Sequence, residues 1–204
     1  MTTIGVIDHG AGNLVSIAQG LAASGADVRI VDDPSGLTPC DGVVLPGVGA
    51  TAPAMGRLAA KGLVEPLRNW ELPLLGICVG LQVFFETSDE DGARCLGIVP
   101  GAVRRLDNSQ RLPHIGWNDV RITDDPLFVG IASGTSFYFV HTYAPQPADV
   151  GVVIGTTEYG TPFTAAIRSA NRVGVQFHPE RSGPAGLQVL ANFVASCKEE
   201  SRAA

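Results

Sequence analysis

The chain is poor in charge and carries no concentration of either sign. Only 17% of its 204 residues are Asp, Glu, Lys or Arg, and the net charge is −6. No Lys/Arg cluster interrupts it, which argues against nucleic-acid binding that rests on neutralising phosphates. No apolar run is long enough to cross a bilayer. The opening Met1-Thr-Thr-Ile-Gly-Val-Ile-Asp8 lacks a basic stretch followed by a long apolar one, so no secretory signal is expected. The four cysteines, Cys40, Cys78, Cys95 and Cys197, contain no C-x-x-C pair, and no His/Cys spacing fits a zinc site. Internal repeats, linkers and low-complexity tracts are also missing. These absences predict a single domain over residues 1–204 in a reducing cytoplasm, without metal, cofactor, membrane or nucleic-acid partner.

What is present is apolar material in a regular order. Hydrophobic residues make up 45% of the chain, enough for a substantial core without disulfides. Thr3–Asp8 reads as a strand, and Leu14, Ile17 and Leu21 have helical spacing behind Asn13, a good N-cap residue. Strands are predicted over Ala26–Val31, Gly42–Leu45 and Leu72–Ile77, with helix over Ala52–Trp70. Strands that alternate with helices make an open, mainly parallel α/β sheet with flanking helices. After Asp89 the pattern shifts to short alternating segments, including Ser136–Val140, Val152–Thr156 and Phe163–Ile167. These predict an antiparallel extension of the sheet. The chain then returns to a core strand, Arg172–Phe177, and a last helix near Pro184–Lys198 whose Leu187, Leu190 and Val194 share one face.

Cys78 carries the chemistry. It lies in Gly76-Ile-Cys-Val-Gly80, where a buried strand meets a helix start. A side chain at that corner is held out at the top of the sheet, as in the G-x-S-x-G elbow. Flanking glycines permit the sharp turn, and helix N–H groups ahead favour negative charge at the sulfur. A lone cysteine is more simply a small packed hydrophobe. The second motif, Val173-Gly-Val-Gln-Phe-His-Pro-Glu180, shifts the balance. His178 and Glu180 supply a base and a carboxylate to orient it, and both motifs end strands. Ligands of an open α/β sheet sit beyond the carboxyl ends of its strands. Pro46-Gly-Val-Gly49 falls at another such end and could offer an oxyanion-binding N–H beside that of Val79.

Other residues have a functional and a plain reading. Gln82, one turn past Cys78, is either a ligand contact or a solvated helix residue. Asp8-His-Gly-Ala-Gly-Asn13 lacks the third glycine of a dinucleotide fingerprint and reads as a tight turn. His9 and His114 are poor candidates for metal ligands. His141 is a rival base without a nearby carboxylate. Leu112-Pro-His-Ile-Gly-Trp-Asn118 reads as a Gly/Pro-rich loop, with Trp117 either buried or a partner anchor.

The Cys78 elbow with His178-Pro-Glu180 resembles the class I (triad) glutamine amidotransferase family. Asp8-x-Gly-x-Gly-Asn13, Pro46-Gly-Val-Gly49 and Pro113-His-Ile-Gly-Trp-Asn118 are similar to the branch serving as glutaminase subunits of imidazole glycerol phosphate synthase in histidine biosynthesis. The likeness runs nearly end to end. It implies that Cys78 attacks the glutamine side-chain amide, His178 shuttles the proton and Glu180 orients His178. It implies oxyanion donors at Val48 and Val79, and glutamine contacts at Gly49, Gln82, Thr142 and Tyr143. It also implies a heterodimer with a (β/α)8 cyclase subunit that receives ammonia, with Asn13, Trp117 and Asn118 near that interface. Three positions depart from the pattern: His9 stands where Tyr is usual, Arg181 where many relatives have Lys, and Val79 where Leu is common. A glutaminase serving another synthase, or a stand-alone thiol hydrolase, remains an alternative on the elbow and His-x-Glu motif alone.

Overall fold

The computed structural model describes residues 1–107 and 109–203. Its first half alternates strand and helix: β1 (Thr3–Ile7), α1 (Leu14–Ala23), β2 (Asp27–Val31), β3 (Gly42–Leu45), α2 (Thr51–Ala60), α3 (Val64–Arg68), β4 (Leu74–Ile77) and the one-turn α4 (Val79–Gln82). There follow β5 (Thr87–Ser88), β6 (Ala93–Arg94), β7 (Gly101–Arg105), β8 (His114–Ile122), β9 (Thr135–His141), β10 (Tyr143–Pro147), β11 (Val153–Tyr159), β12 (Thr161–Ser169), β13 (Arg172–Val175) and α5 (Gly183–Ala203).

The main sheet has nine strands in the order β2-β1-β3-β4-β13-β12-β11-β8-β9. From β2 to β13 every pairing is parallel. From β13 to β9 every pairing is antiparallel. Composition explains the division. Strands β3 and β4 are buried at every residue, as helices on both faces require of a parallel sheet. Strand β9 alternates, with Phe137, Phe139 and His141 inward, as a strand covered on one face must. A second, four-stranded sheet in the order β10-β7-β5-β6 packs beside the first. Its two-residue strands and the proline-bearing β10 carry too little periodicity to be read beforehand.

Three local expectations need correction. Residues 52–70 form two helices, because Gly62 takes a left-handed φ of 68° just past the end of α2, the usual glycine stop. Residues 114–118 open the long strand β8 instead of forming a loop. Asn13 stands at the N-terminus of α1, but its side chain makes no capping hydrogen bond. Among the described residues no helix is long and apolar enough to cross a membrane.

The antiparallel edge curls back over the parallel core. The His178 N–H, just past β13, donates to the Tyr138 carbonyl of β9 at 2.9 Å. The Ser182 hydroxyl accepts from the Tyr138 N–H at 3.0 Å. Strand β9 thereby becomes one wall over the carboxyl ends of β4 and β13.

Candidate active site

Strand β4 delivers Cys78 to the sheet edge in a conformation few residues adopt, with φ 54° and ψ −110°. A non-glycine residue held there costs about 1–3 kcal/mol, which the surroundings must impose. They do so by close packing. A Cβ on Gly76 would lie 2.7 Å from the Leu81 Cα, and one on Gly80 would overlap the Leu45 carbonyl oxygen. Only glycine fits either flank of the elbow. Helix α4, which starts just past the thiol, is a single turn, and the Val79 N–H follows Cys78 directly.

His178 lies at the end of the neighbouring strand. Its Nδ1 is 3.0 Å from Glu180 Oε1, and its imidazole and the Cys78 side chain line the same cavity. Burial opposes charge on this imidazole. The Cys78 and Glu180 side chains outweigh burial and push its pKa up to about 10. Glu180 is itself buried, with a side chain 1% exposed. Cys78 Sγ donates to the Val140 carbonyl at 3.8 Å and accepts from Gln176 Nε2 at 3.5 Å. Burial alone raises the Cys95 thiol to about 11, and burial chiefly raises Cys40.

Sulfur and imidazole open on one cavity of about 280 Å³. Val48, Gly49, Val79, Gln82, Thr142 and Tyr143 line it. Gln82 is buried rather than solvated. Its amide donates to the Tyr143 carbonyl at 2.9 Å and to Gln176 Oε1 at 3.0 Å. The Pro46–Gly49 loop is pinned at one end and loose at the other. A Cβ on Gly47 would sit 2.8 Å from the Val79 Cβ, whereas Gly49, at φ 89°, has open space around it. The loop of residues 8–13 braces it, with His9 Nε2 donating to the Pro46 carbonyl at 2.8 Å.

Sequence reasoning passed over Glu90, Gln176 and the role of Arg181 in the cavity wall. Glu90 lines the cavity and accepts from the Thr51 N–H at 3.0 Å; burial raises its pKa. No periodic signal marks it, because it sits in a turn between two-residue strands. Gln176 had a signal: a buried polar side chain two residues before His178, on the same side of an extended segment. Arg181 lies over the Tyr138 ring, 4.5 Å from its centroid. His141 also lines the cavity, but both its nitrogens are engaged, by Tyr143 and His114.

Asn13, Trp117 and Asn118 lie outside the cavity lining. Asn13 is exposed, and Trp117 is 55% exposed rather than buried. Trp117 meets the Tyr138 ring edge-on at 5.8 Å, and Arg181, which lines the cavity, lies over the same ring. Asn118 bonds His114 and the Glu158 carbonyl.

Comparison with known proteins identifies the family. The family described as "Glutamine amidotransferase class-I" matches residues 5–197. An imidazole glycerol phosphate synthase subunit HisH of Moorella thermoacetica is 50% identical over 198 residues, covering 95% of this chain and 94% of that one. A protein of the same description from a Synechococcus species is 47% identical, covering 94% and 92%. A solved glutamine amidotransferase shares the fold with a TM-score of 0.72 at 19% identity, covering 96% of this chain and 98% of that one. The chain therefore belongs to the class I glutamine amidotransferase family, on the branch of the imidazole glycerol phosphate synthase HisH subunits.

Proposed function

We propose that the chain works in the cytoplasm as a single glutaminase domain, residues 1–204, with Cys78, His178 and Glu180 as its catalytic set. His178 removes the Cys78 proton, and the sulfur attacks the side-chain amide carbon of glutamine. The negative charge that gathers on the carbonyl oxygen is met by the N–H groups of Val79 and Val48. The C–N bond breaks, His178 returns the proton to nitrogen, and ammonia leaves. Water, deprotonated by His178, then attacks the γ-glutamyl thioester. The C–S bond breaks, glutamate forms and the thiol regains its hydrogen. Glu180 holds Nδ1 so that Nε2 faces the sulfur.

Gly49, Gln82, Thr142 and Tyr143 hold the substrate, and Glu90 supplies the anionic partner its ammonium needs. The ammonia passes to a (β/α)8 cyclase subunit in histidine biosynthesis, docked near Asn13, Trp117 and Asn118. The freedom of Gly49 beside pinned Gly47 supports a Val48 N–H that turns inward only when the partner is bound.

One observation carries the reading: Cys78 and a His178 held by Glu180 line one cavity at the strand ends. Cys78→Ala tests it. Glutamine hydrolysis should fall at least about 10³-fold, while partner binding and ammonia-dependent synthesis by the partner persist. Hydrolysis surviving in Cys78→Ala refutes the mechanism. Full turnover by the isolated chain refutes the partner-dependent oxyanion donor.

A further inference from the structure

Gln176 directly follows β13 and is fully buried. An amide is costly to bury unless its donors and acceptor are met. The backbone around it is fixed from both sides. The Gln176 N–H donates to the Ala165 carbonyl of β12 at 2.8 Å, and the Cys78 N–H donates to the Val175 carbonyl at 2.8 Å. The parallel register pairs Gly174 with Gly76 and Val175 with Ile77. Its next step sets Gln176 beside Cys78.

The contacts decide which end of the amide faces the sulfur. Gln82 Nε2 lies 2.9 Å from the Tyr143 carbonyl, which can only accept, so this end of Gln82 is its NH2 group. The second hydrogen of that group is directed to Gln176 Oε1 at 3.0 Å. Gln176 therefore presents Nε2 at its other end, 3.5 Å from Cys78 Sγ. A reversed amide would set N–H against N–H at Gln82 and an oxygen against the sulfur.

Two polar neighbours act on the sulfur in opposite senses. In the thiol, S–H is directed at the Val140 carbonyl, 3.8 Å away. Once the proton has passed to His178, the same carbonyl oxygen faces a negative sulfur and opposes it. The Gln176 N–H does the reverse. A hydrogen bond to an ionised partner is about twice as strong as a neutral one, so this donor gains strength as the charge forms. Cys78 is 3% exposed, so little solvent can take its place.

We propose that Gln176 is a further catalytic residue, which donates Nε2–H to Cys78 Sγ and holds the thiolate. Gln82 fixes the amide orientation that makes this possible. The step balances: sulfur keeps the S–H electron pair, the proton moves to His178, and both Gln176 hydrogens stay on nitrogen. That electron pair becomes the C–S bond of the thioester, and returns to sulfur when water breaks the bond. Gln82 thus joins the substrate cavity to the nucleophile through one amide. The inference rests on Cys78 being the nucleophile and adds what keeps its charge in place.

Gln176→Met removes the donor and leaves a side chain of similar length. Alkylation of Cys78 in the full chain by iodoacetamide, followed across pH by peptide mass spectrometry, reads the thiolate without glutamine. The acid limb of this profile should move to higher pH, with rates on it about tenfold lower, while the plateau at high pH does not fall. Loss of packing alone would lower the plateau and leave the limb in place. Glutamine turnover in the complex with a cyclase should fall about tenfold in kcat, with KM changed less than about threefold. Gln82→Met gives a second reading, which decides alone if Gln176→Met does not fold. It frees the Gln176 amide to turn, so the acid limb should move the same way. In a Gln176→Met background it should move the limb no further. An unmoved limb in either single variant, or equal movement by Gln82→Met in both backgrounds, overturns the proposal. Those failures leave the Cys78→Ala result intact. Hydrolysis surviving in Cys78→Ala would instead refute the reaction and leave the alkylation profiles standing.

Discussion

Gly80 lies so close beneath Leu45 that even a methyl group at its Cα would overlap the Leu45 carbonyl oxygen. This contact joins the start of α4 to the end of β3 and helps hold Cys78 in its left-handed conformation. Relief would require the strand or the elbow to move. Gly80→Ala should therefore lower stability by about 1–3 kcal/mol, read from the denaturant midpoint. Glutaminase turnover should fall further than the loss of folded protein explains. An active, fully stable Gly80→Ala would mean that the packing does not enforce the elbow.

The pairing of His178 with Glu180 makes stability depend on pH. The folded pKa of His178 lies above its unfolded value. Its contribution is therefore complete below about pH 6.5 and is lost as pH rises toward about 10. Unfolding free energies measured across that window should decline in the parent and decline less in Glu180→Gln, which removes one of the groups that raise the pKa. Cys78→Ala should flatten the same slope, since Cys78 is the larger of the two raising influences. Identical slopes in all three proteins would contradict the pairing.

Glu90 is a carboxylate on the cavity wall with burial against it. A substrate ammonium would relieve that cost. Glu90→Gln should raise KM for glutamine about 10- to 100-fold, the worth of one charge-assisted hydrogen bond, with a smaller change in kcat. A KM near the parental value would remove Glu90 from the substrate contacts.

Trp117 presents more than half of its surface on strand β8, beside the equally exposed Ile115. Such an aromatic is an expected anchor for a partner. Trp117→Ala should weaken association with the cyclase subunit by about 2 kcal/mol, measured by calorimetry, without lowering the stability of the isolated chain. Undiminished affinity would move the docking face elsewhere.

The parallel half of the fold was legible because its signals are local. Strand β4 is four buried residues ending at Cys78, and β1 and β3 are equally apolar runs. Each announces itself through apolar residues bounded by turns. The antiparallel half was only partly legible. His114 to Asn118 looked like a loop because glycine and proline crowd the segment, yet long-range pairing with β9 makes it a strand. Local propensity yields there to contacts that no short window contains. The second sheet escaped notice for the same reason, since Thr87 and Ser88 form a strand only because β6 and β7 flank them.

Sequence order alone determined that a thiol, an imidazole and a carboxylate each stand at or just beyond a strand end, because alternating apolar and turn residues fix where strands stop. Tertiary structure decided what surrounds them. The curl of β9 sets the Val140 carbonyl near the sulfur, the pairing of β13 with β4 brings Gln176 and Gln82 together, and the pairing of β8 with β9 threads two histidines between Asn118 and Tyr143. Those contacts join residues far apart in the chain, and their geometry arises only when the sheet twists and closes over its own edge.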